Sequence, residues 1–282
     1  MVNVGQHWDY VIRWLLSAIA FGLIAIHLTL TWRTGNINFL AVSAIVWFAV
    51  GSRLWQQRQA LPLNSGMVSS LVGLIILLPM LIRSLALPTS NFLGVYPFGM
   101  ALGWLCLTSG AGKLWCYWRE LTVLFCLGVP KVVLTPMVDF SPITAKFSTF
   151  LLWYSGFEVQ RLGTYITSAS GRVDVNMGCS GLDVIFYLLS LSVLCLLMFP
   201  LYRRWFQVLT PLLAVAIAFI TNGIRVAILA MLTGPSNRGA FDYWHTGEGS
   251  LLFALMAVCL LGGSYALMLD HDRLPPPPER VG

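Results

Sequence analysis

Residues 182–200, LDVIFYLLSLSVLCLLMFP, form an almost uninterrupted apolar run. Its charged residue, Asp183, stands at the second position. About 20 consecutive, predominantly apolar residues are enough to carry an α-helix across the ~30 Å hydrocarbon core of a bilayer. We therefore interpret the stretch as a membrane-spanning helix.

The same pattern recurs along the whole chain. Apolar residues make up 57% of the 282 positions and charged residues 10%, whereas a soluble domain carries roughly 25% charged residues. The sequence predicts an all-α polytopic membrane protein with about eight transmembrane helices. The predicted spans are Val11–Trp32, Phe39–Trp55, Met67–Leu87, Tyr96–Ala111, Glu120–Val138, Leu182–Pro200, Phe206–Thr233 and Ser250–Leu269.

The basic residues indicate the orientation of these helices. They concentrate in alternate connections and at the C-terminal end, and the positive-inside rule assigns such segments to the cytoplasm. The residues concerned are Arg53, Arg58, Lys113, Arg119, Arg203, Arg204, Arg273 and Arg280. With about eight spans, both termini are then cytoplasmic. The net charge of +6 thus reflects membrane topology, and no nucleic-acid partner is expected.

Polar motifs interrupt the apolar pattern at three places in the C-terminal half. They read NMGCSGL at 176–182, NGIR at 222–225 and YWHTG at 243–247. Of the six cysteines, only Cys179 has polar, glycine-bearing neighbours. In the predicted topology it lies on the outer side, just before the helix of residues 182–200. The free N–H groups and positive dipole end of a helix start favour a thiolate there.

The predicted topology brings Arg225 and His245 to the same outer side. Arg225 is 19 residues beyond Phe206, the start of its predicted span, which is ~28 Å at the α-helical rise. His245 lies in the next outer connection. Each residue also has a simpler interpretation. Cys179 could be an inert packed thiol, Arg225 could snorkel or pair with Asp183, and His245 could make an interfacial hydrogen bond.

Together, these three side chains are suited to acyl transfer. The thiolate of Cys179 would attack a peptide carbonyl, His245 would move the proton, and Arg225 would stabilise the oxyanion. Resolution of the resulting thioester by water would make the protein a protease, and resolution by an amine or hydroxyl a transpeptidase. The supporting residues we predict are Asn222, Asp183 and Ser180. No cofactor and no metal ion are expected.

The three motifs resemble those of the exosortases, the polytopic bacterial counterparts of sortase. The blocks GCSGL, NGIRV and WHTGEG carry the resemblance over roughly residues 163–264, and residues 241–249, FDYWHTGEG, are most similar to cyanobacterial members. The resemblance implies a catalytic set of Cys179, Arg225 and His245 in a bacterial inner membrane. It also implies the substrates, which are secreted proteins with a C-terminal PEP-CTERM-like tail.

Such a tail has a short Pro-containing motif, an apolar helix and a basic end. The resemblance implies cleavage before the helix and transfer to an acceptor at the cell surface, whose identity the sequence does not reveal. Membrane lipid is the remaining expected partner. A purely hydrolytic intramembrane cysteine protease stays open, as does a non-catalytic transporter or assembly subunit of a surface-polymer export system.

The segment before Cys179 does not fit a membrane span. Aromatic residues within 147–161 favour an extracytoplasmic interfacial helix. Residues 164–167 and 172–175, separated by the turn-prone Ser168–Gly171, predict a β-hairpin over the site. That its edge also pairs with an extended substrate is a hypothesis.

We therefore divide the single integral membrane domain, residues 1–282, into four parts. They are N-terminal transmembrane helices (1–138), an extracytoplasmic segment (139–178), catalytic helices (179–269) and a cytoplasmic tail (270–282). In the tail, Pro275–Pro278 predicts a stiff polyproline segment.

Overall fold

The computed structural model describes residues 4–58 and 64–272, with side chains from residue 11 onward. Its residues fall into two compact units, Met1–Pro136 and Met137–Gly282. In the first unit the helices are α1 (Val4–Arg33), α2 (Ile37–Gln56), α3 (Met67–Ser84), α4 (Ser90–Thr108) and α5 (Trp118–Leu134). A 3₁₀-helix, Ala111–Tyr117, precedes α5.

The second unit combines helices with a small sheet. Its elements are α6 (Ser141–Tyr154), β1 (Val159–Leu162), β2 (Tyr165–Ser168), β3 (Gly171–Asp174), α7 (Leu182–Met198), α8 (Arg204–Met231), α9 (Arg238–His245) and α10 (Glu248–His271). Two short 3₁₀-helices, Met177–Cys179 and Pro235–Asn237, precede α7 and α9.

In the part of the chain that the structure describes, seven helices are long and apolar enough to cross a membrane. They are α1 to α4, α7, α8 and α10, which correspond to seven of the spans predicted from the sequence. The predicted fifth span, residues 120–138, corresponds to α5, which has 17 residues and contains Pro130. The eighth crossing therefore stays a prediction. The fourth span begins earlier than predicted, at Ser90, because the Thr89 hydroxyl accepts the N–H group of Phe92 and caps the helix.

Close glycine contacts hold the helices of the first unit together. A Cβ added to Gly128 of α5 would lie 2.3–2.7 Å from the backbone of Gly94 in α4. One added to Gly73 of α3 would lie 2.6 Å from the carbonyl oxygen of Gly103, also in α4. Small residues at such crossings let helix backbones approach closely, which is the usual basis of helix packing in membranes.

Two polar contacts link neighbouring helices of this unit. Arg53 of α2 forms a 2.5 Å salt bridge with Glu120 of α5. The indole N–H group of Trp47 donates to Nδ1 of His27 over 3.1 Å. Burying a charge without a partner in an apolar helix bundle costs free energy, so the Arg53–Glu120 pair favours the packing of α2 against α5.

Helix α8 is the centre of the second unit, and α6, α7 and α10 all pack against it. Beneath the sheet lies a cluster of buried side chains from α6, α8 and the strands, with Cys179 packed at its margin. Its buried members are Ala145, Leu152, Ile166, Val175, Val226, Ala227 and Ala230. This shared core fixes the segment that carries Cys179 relative to α8.

The segment before Cys179 differs in detail from the sequence prediction. Helix α6 ends at Tyr154 rather than extending to Arg161, because Gly156 takes a positive φ of 87° and its N–H group returns to the carbonyl of Trp153. Residues 159–162 then form an additional strand. The sheet is antiparallel with the order β1-β2-β3, so the predicted hairpin corresponds to two of three strands.

The C-terminal end of the described chain is attached to the start of α8. The carboxylate of Asp272 accepts the main-chain N–H groups of Tyr202 and Arg203. Most of the predicted cytoplasmic tail, including the polyproline run 275–278, lies outside the described residues.

Candidate active site

Cys179 ends a short 3₁₀-helix that local side chains stabilise. The side-chain oxygen of Asn176 accepts the N–H group of Cys179 over 3.1 Å, and the hydroxyl of Ser180 donates to the carbonyl of Met177 over 2.7 Å. Gly181 then turns the chain into α7 with a φ of 85°. Only glycine adopts this region without strain. A Cβ at Gly181 would also lie 2.6 Å from Nδ2 of Asn222.

Two neighbouring helices hold the carbonyl groups of this loop. Asn222 of α8, which is buried, donates from Nδ2 to the carbonyl of Cys179 over 2.9 Å. Thr144 of α6 donates from its hydroxyl to the carbonyl of Ser180 over 2.8 Å. Ser148, one turn further along α6, donates to the carbonyl of Gly223 over 2.9 Å. The backbone around the thiol is therefore tied to both α6 and α8.

The predicted supporting residues have different positions. Asn222 contacts the Cys179 backbone directly, whereas Ser180 stabilises the preceding turn. Asp183 lies half-buried in the first turn of α7, and its pairing with Arg225 stays a prediction. Sequence reasoning missed Thr144 and Ser148. Their four-residue spacing, which places them on one face of α6, was a usable signal.

His245 is the last residue of α9 and lies against the thiol. Its Nε2 atom is 3.4 Å from Sγ of Cys179, although the two residues are 66 positions apart. The chain can reverse tightly after His245, since Gly249 lies against the rings of Tyr243 and Trp244. The distance allows direct proton transfer between sulfur and imidazole.

Arg225 of α8 holds the end of α9. Its guanidinium donates from Nη2 to the carbonyl of His245 over 2.6 Å and from Nε to the carbonyl of Trp244 over 3.4 Å. The last carbonyls of a helix have no partner within the helix. Arg225 therefore satisfies two of these groups and, in doing so, fixes the backbone that carries the imidazole.

The surroundings of His245 favour its neutral form. Burial lowers the pKa of the imidazole below its usual value, the positive charge of Arg225 lowers this pKa further, and the carboxylate of Asp242 acts in the opposite direction. A neutral imidazole at pH 7 has a nitrogen that can accept the thiol proton. The site thus has a nucleophile, an adjacent base and a fixed positive charge.

The described residues contain no group of three or more His, Cys, Asp or Glu side chains that could hold a metal ion.

Comparison with known families identifies the class of protein. The family model described as "Transmembrane exosortase" matches residues 32–262. The chain belongs to the transmembrane exosortase family. The match includes Cys179, Arg225 and His245 together with most of the first unit. Comparison with curated proteins and with solved structures found no match.

Membership of the exosortase family, together with the seven apolar helices, makes this chain a multi-pass membrane protein. It also assigns the chain to the membrane-embedded sorting transpeptidases in general. The more specific resemblance to cyanobacterial exosortases stays a prediction.

Proposed function

We propose that the protein is a membrane-embedded cysteine transpeptidase that cleaves the C-terminal sorting tail of secreted proteins through a thioester on Cys179. The observation that carries this proposal is the 3.4 Å contact between Sγ of Cys179 and Nε2 of His245. Family membership supports the general class of reaction, and the contact supports the roles of these residues.

In the first step, Nε2 of His245 takes the proton of Cys179 as the sulfur attacks the carbonyl carbon of the scissile bond. The tetrahedral intermediate collapses when its C–N bond breaks, and the imidazolium returns the proton to the leaving amine. The upstream part of the substrate is then a thioester of Cys179. The released part is the apolar tail with a new amino terminus.

Arg225 has two tasks in this mechanism. Its bonds to the carbonyls of Trp244 and His245 keep the imidazole beside the sulfur. A guanidinium has five N–H groups, and those that do not bond these carbonyls can donate to the oxyanion of the intermediate. Loss of one such donor from an oxyanion site typically lowers kcat by about 10²–10³-fold.

The position of the site suits a substrate whose tail is a membrane helix. Cys179 comes just before α7, and His245 is followed within a few residues by α10, so the reactive groups lie at helix ends. The exposed aromatic side chains of Phe150, Trp153 and Tyr154 on α6 support a location at the membrane surface. A tail that enters sideways through the bilayer would present its outer juncture at this level.

We further propose that this level is the extracytoplasmic side of a bacterial inner membrane, with both termini in the cytoplasm. The support is the distribution of Lys and Arg along the chain. The substrate is then a secreted protein that retains its tail in the membrane until it is cleaved. The acceptor is a nucleophile at the cell surface.

The test uses the full-length protein in membranes with a secreted reporter that carries a C-terminal tail of motif, apolar helix and basic end. The wild-type protein should cleave the reporter and form a covalent adduct that mass spectrometry maps to Cys179. C179A should abolish both. C259S is the matched control, because Cys259 is an exposed thiol in α10 away from the loop that carries Cys179. An adduct at another cysteine, or cleavage by C179A, would overturn the proposal.

A second arm separates transfer from hydrolysis. Hydroxylamine attacks thioesters, so its addition should convert the upstream product to a hydroxamate and shorten the lifetime of the adduct. In its absence, a product joined to a cellular amine or hydroxyl identifies a transpeptidase. A product with a free carboxyl group identifies a hydrolytic protease, the alternative that the same three residues allow.

A further inference from the structure

The edge strand β3 leads directly to the thiol. The sheet has two edges, β1 and β3, and β3 ends at Asp174, five positions before Cys179. The side chains of Arg172, Asp174 and Asn176 are exposed along this path. An approach to the thiol along β3 is therefore open to solvent.

The register determines which main-chain groups face outward. Thr164 opposes Val175, and the N–H group of Val175 donates to the carbonyl of Thr164 over 3.1 Å. Hydrogen-bonded and non-bonded pairs alternate along an antiparallel ladder. In the register of β2 and β3, Ile166↔Val173 and Ser168↔Gly171 are then the bonded pairs. The N–H and C=O groups of Arg172 and Asp174 point away from β2.

Among the described residues, no hydrogen bond joins the main-chain N–H or C=O group of Arg172 or Asp174 to another part of the chain. Residues i and i+2 of a strand are about 6.6 Å apart, so the edge presents two donor–acceptor sets at the repeat of an extended peptide. Unpaired strand edges of this kind bind extended peptides as an added strand.

We propose that β3 binds the substrate by strand addition: the extended segment before the apolar tail pairs with the main chain of Arg172 and Asp174, which delivers the scissile bond to Cys179. This inference rests on the proposed function. Because the contacts are main-chain hydrogen bonds, they read the extended conformation of the substrate and not its side chains. Alternate substrate residues donate and accept, and the residues between them turn their N–H groups away.

The opposite edge of the sheet offers a matched control. Arg161 on β1 lies opposite Ile166 of β2. The main-chain groups of Ile166 are bonded to β3 and not to β1, so the N–H group of Arg161 also faces outward. Arg161 and Arg172 are both exposed arginines on edge strands. Proline lacks the N–H group and is tolerated on edge strands where that group faces solvent. R172P and R161P thus remove equivalent donors from the two edges.

The experiment measures cleavage of the tailed reporter and of a tail peptide by the full-length protein in membranes. R172P should lower kcat/KM about tenfold, which corresponds to ~1.4 kcal/mol for the lost bond. R172A, which keeps the N–H group, should lose less. R161P should stay within about twofold of the wild type. The rate of Cys179 alkylation reports whether each variant keeps an intact site.

A scan of N-methylated tail peptides tests the same pairing from the substrate side. Methylation should block cleavage by the wild-type protein at every second residue upstream of the scissile bond. At the residue that pairs with Arg172, methylation removes the substrate N–H group that bonds the Arg172 carbonyl, so its effect should add to that of R172P, which removes the Arg172 N–H group. Equal activities of R172P and R161P, or a scan without period two, would overturn strand addition. If R172P fails to fold, as judged by alkylation, the scan decides alone.

These outcomes are separate from a failure of the proposed function. If the wild-type protein neither cleaves the reporter nor forms an adduct at Cys179, the proposed function is wrong and the inference fails with it. If the wild-type protein cleaves normally and the scan is flat, only strand addition is wrong.

Discussion

Replacing Thr144 by valine tests how the loop around Cys179 is held. Thr144 is fully buried on α6, and its hydroxyl donates to the main-chain carbonyl of Ser180 over 2.8 Å. T144V exchanges the hydroxyl for a methyl group of similar size. The carbonyl next to the nucleophile then loses its buried donor, while the packing around the side chain is retained.

The expected cost follows from the buried acceptor. A buried polar group that loses its partner costs about 1–3 kcal/mol, so T144V should lower the free energy of unfolding by that amount. T149V is the control, because the Thr149 hydroxyl donates to the carbonyl of Ala145 within α6 itself. Its effect should stay within about 0.5 kcal/mol. T144S keeps the hydroxyl and loses one methyl group, at a cost of ~0.8 kcal/mol or somewhat more.

Activity should distinguish T144V from T144S and T149V. The bonded carbonyl adjoins Cys179, and a displacement of about 1 Å at a reacting group can cost ~10²-fold in rate. T144V should therefore reduce reporter cleavage at least tenfold, whereas T144S and T149V should stay within a few-fold of the wild type. Unfolding is measured in detergent micelles with the same protein used for cleavage.

Two results would contradict this reasoning. If T144V unfolds and cleaves like the wild type, the bond to the Ser180 carbonyl does not hold the loop. If T149V loses as much activity as T144V, the effect comes from α6 in general and not from this contact.

Three further predictions concern the base, the loop and the first unit. N222D exchanges the Nδ2 group that donates to the Cys179 carbonyl for a carboxylate oxygen that repels this carbonyl. The variant should insert into the membrane but should not cleave the reporter. Cleavage by N222D at the wild-type rate would argue against the bond. Burial and the charge of Arg225 lower the pKa of His245, and activity should be lost as the pH falls through that pKa. The acid limb of the pH profile of kcat/KM should therefore lie below about pH 6.5, the ordinary pKa of histidine. D242N should move the limb to still lower pH, because Asp242 raises the pKa of His245; a shift to higher pH would show that the sign is wrong. G128A should destabilise the protein by about 1–3 kcal/mol, since its Cβ would meet the backbone of Gly94 at 2.3–2.7 Å. G22A, whose Cβ would have nothing within 4 Å inside α1, should be neutral or stabilising by up to about 1 kcal/mol in the same unfolding assay.

Much of the fold followed from composition alone. Runs of apolar residues long enough to cross a bilayer must become helices, because every backbone N–H and C=O group has to be paired within the segment. Seven predicted spans correspond to helices of that kind. The secondary structure of residues 139–178 was harder to predict, because a mixture of aromatic and polar residues is compatible with both a helix and a strand. The glycine at 156 decided where α6 ends and allowed β1 to form.

The candidate site was predicted in part. Cys179, Arg225 and His245 were identified because polar and ionisable residues in an apolar sequence cost free energy in the membrane and therefore often belong to functional sites. That they share one side of the membrane was predicted by counting spans and stays a prediction. Spacing along the chain gave no distance between them. The four-residue spacing of Thr144 and Ser148 places them on one face of a helix. It does not indicate their bonds to main-chain carbonyls, because a carbonyl is present at every position.

The amino-acid sequence was enough to predict a helical membrane protein and three side chains suited to acyl transfer, because both follow from the cost of polar groups in a bilayer. The folded chain alone shows that Sγ of Cys179 and Nε2 of His245 lie 3.4 Å apart and that Arg225 binds the carbonyls at the end of α9. These contacts join residues brought together by packing on α8, and the geometry of packed helices depends on many side chains at once. Burial then set the direction of the His245 pKa shift, which residue type alone does not specify.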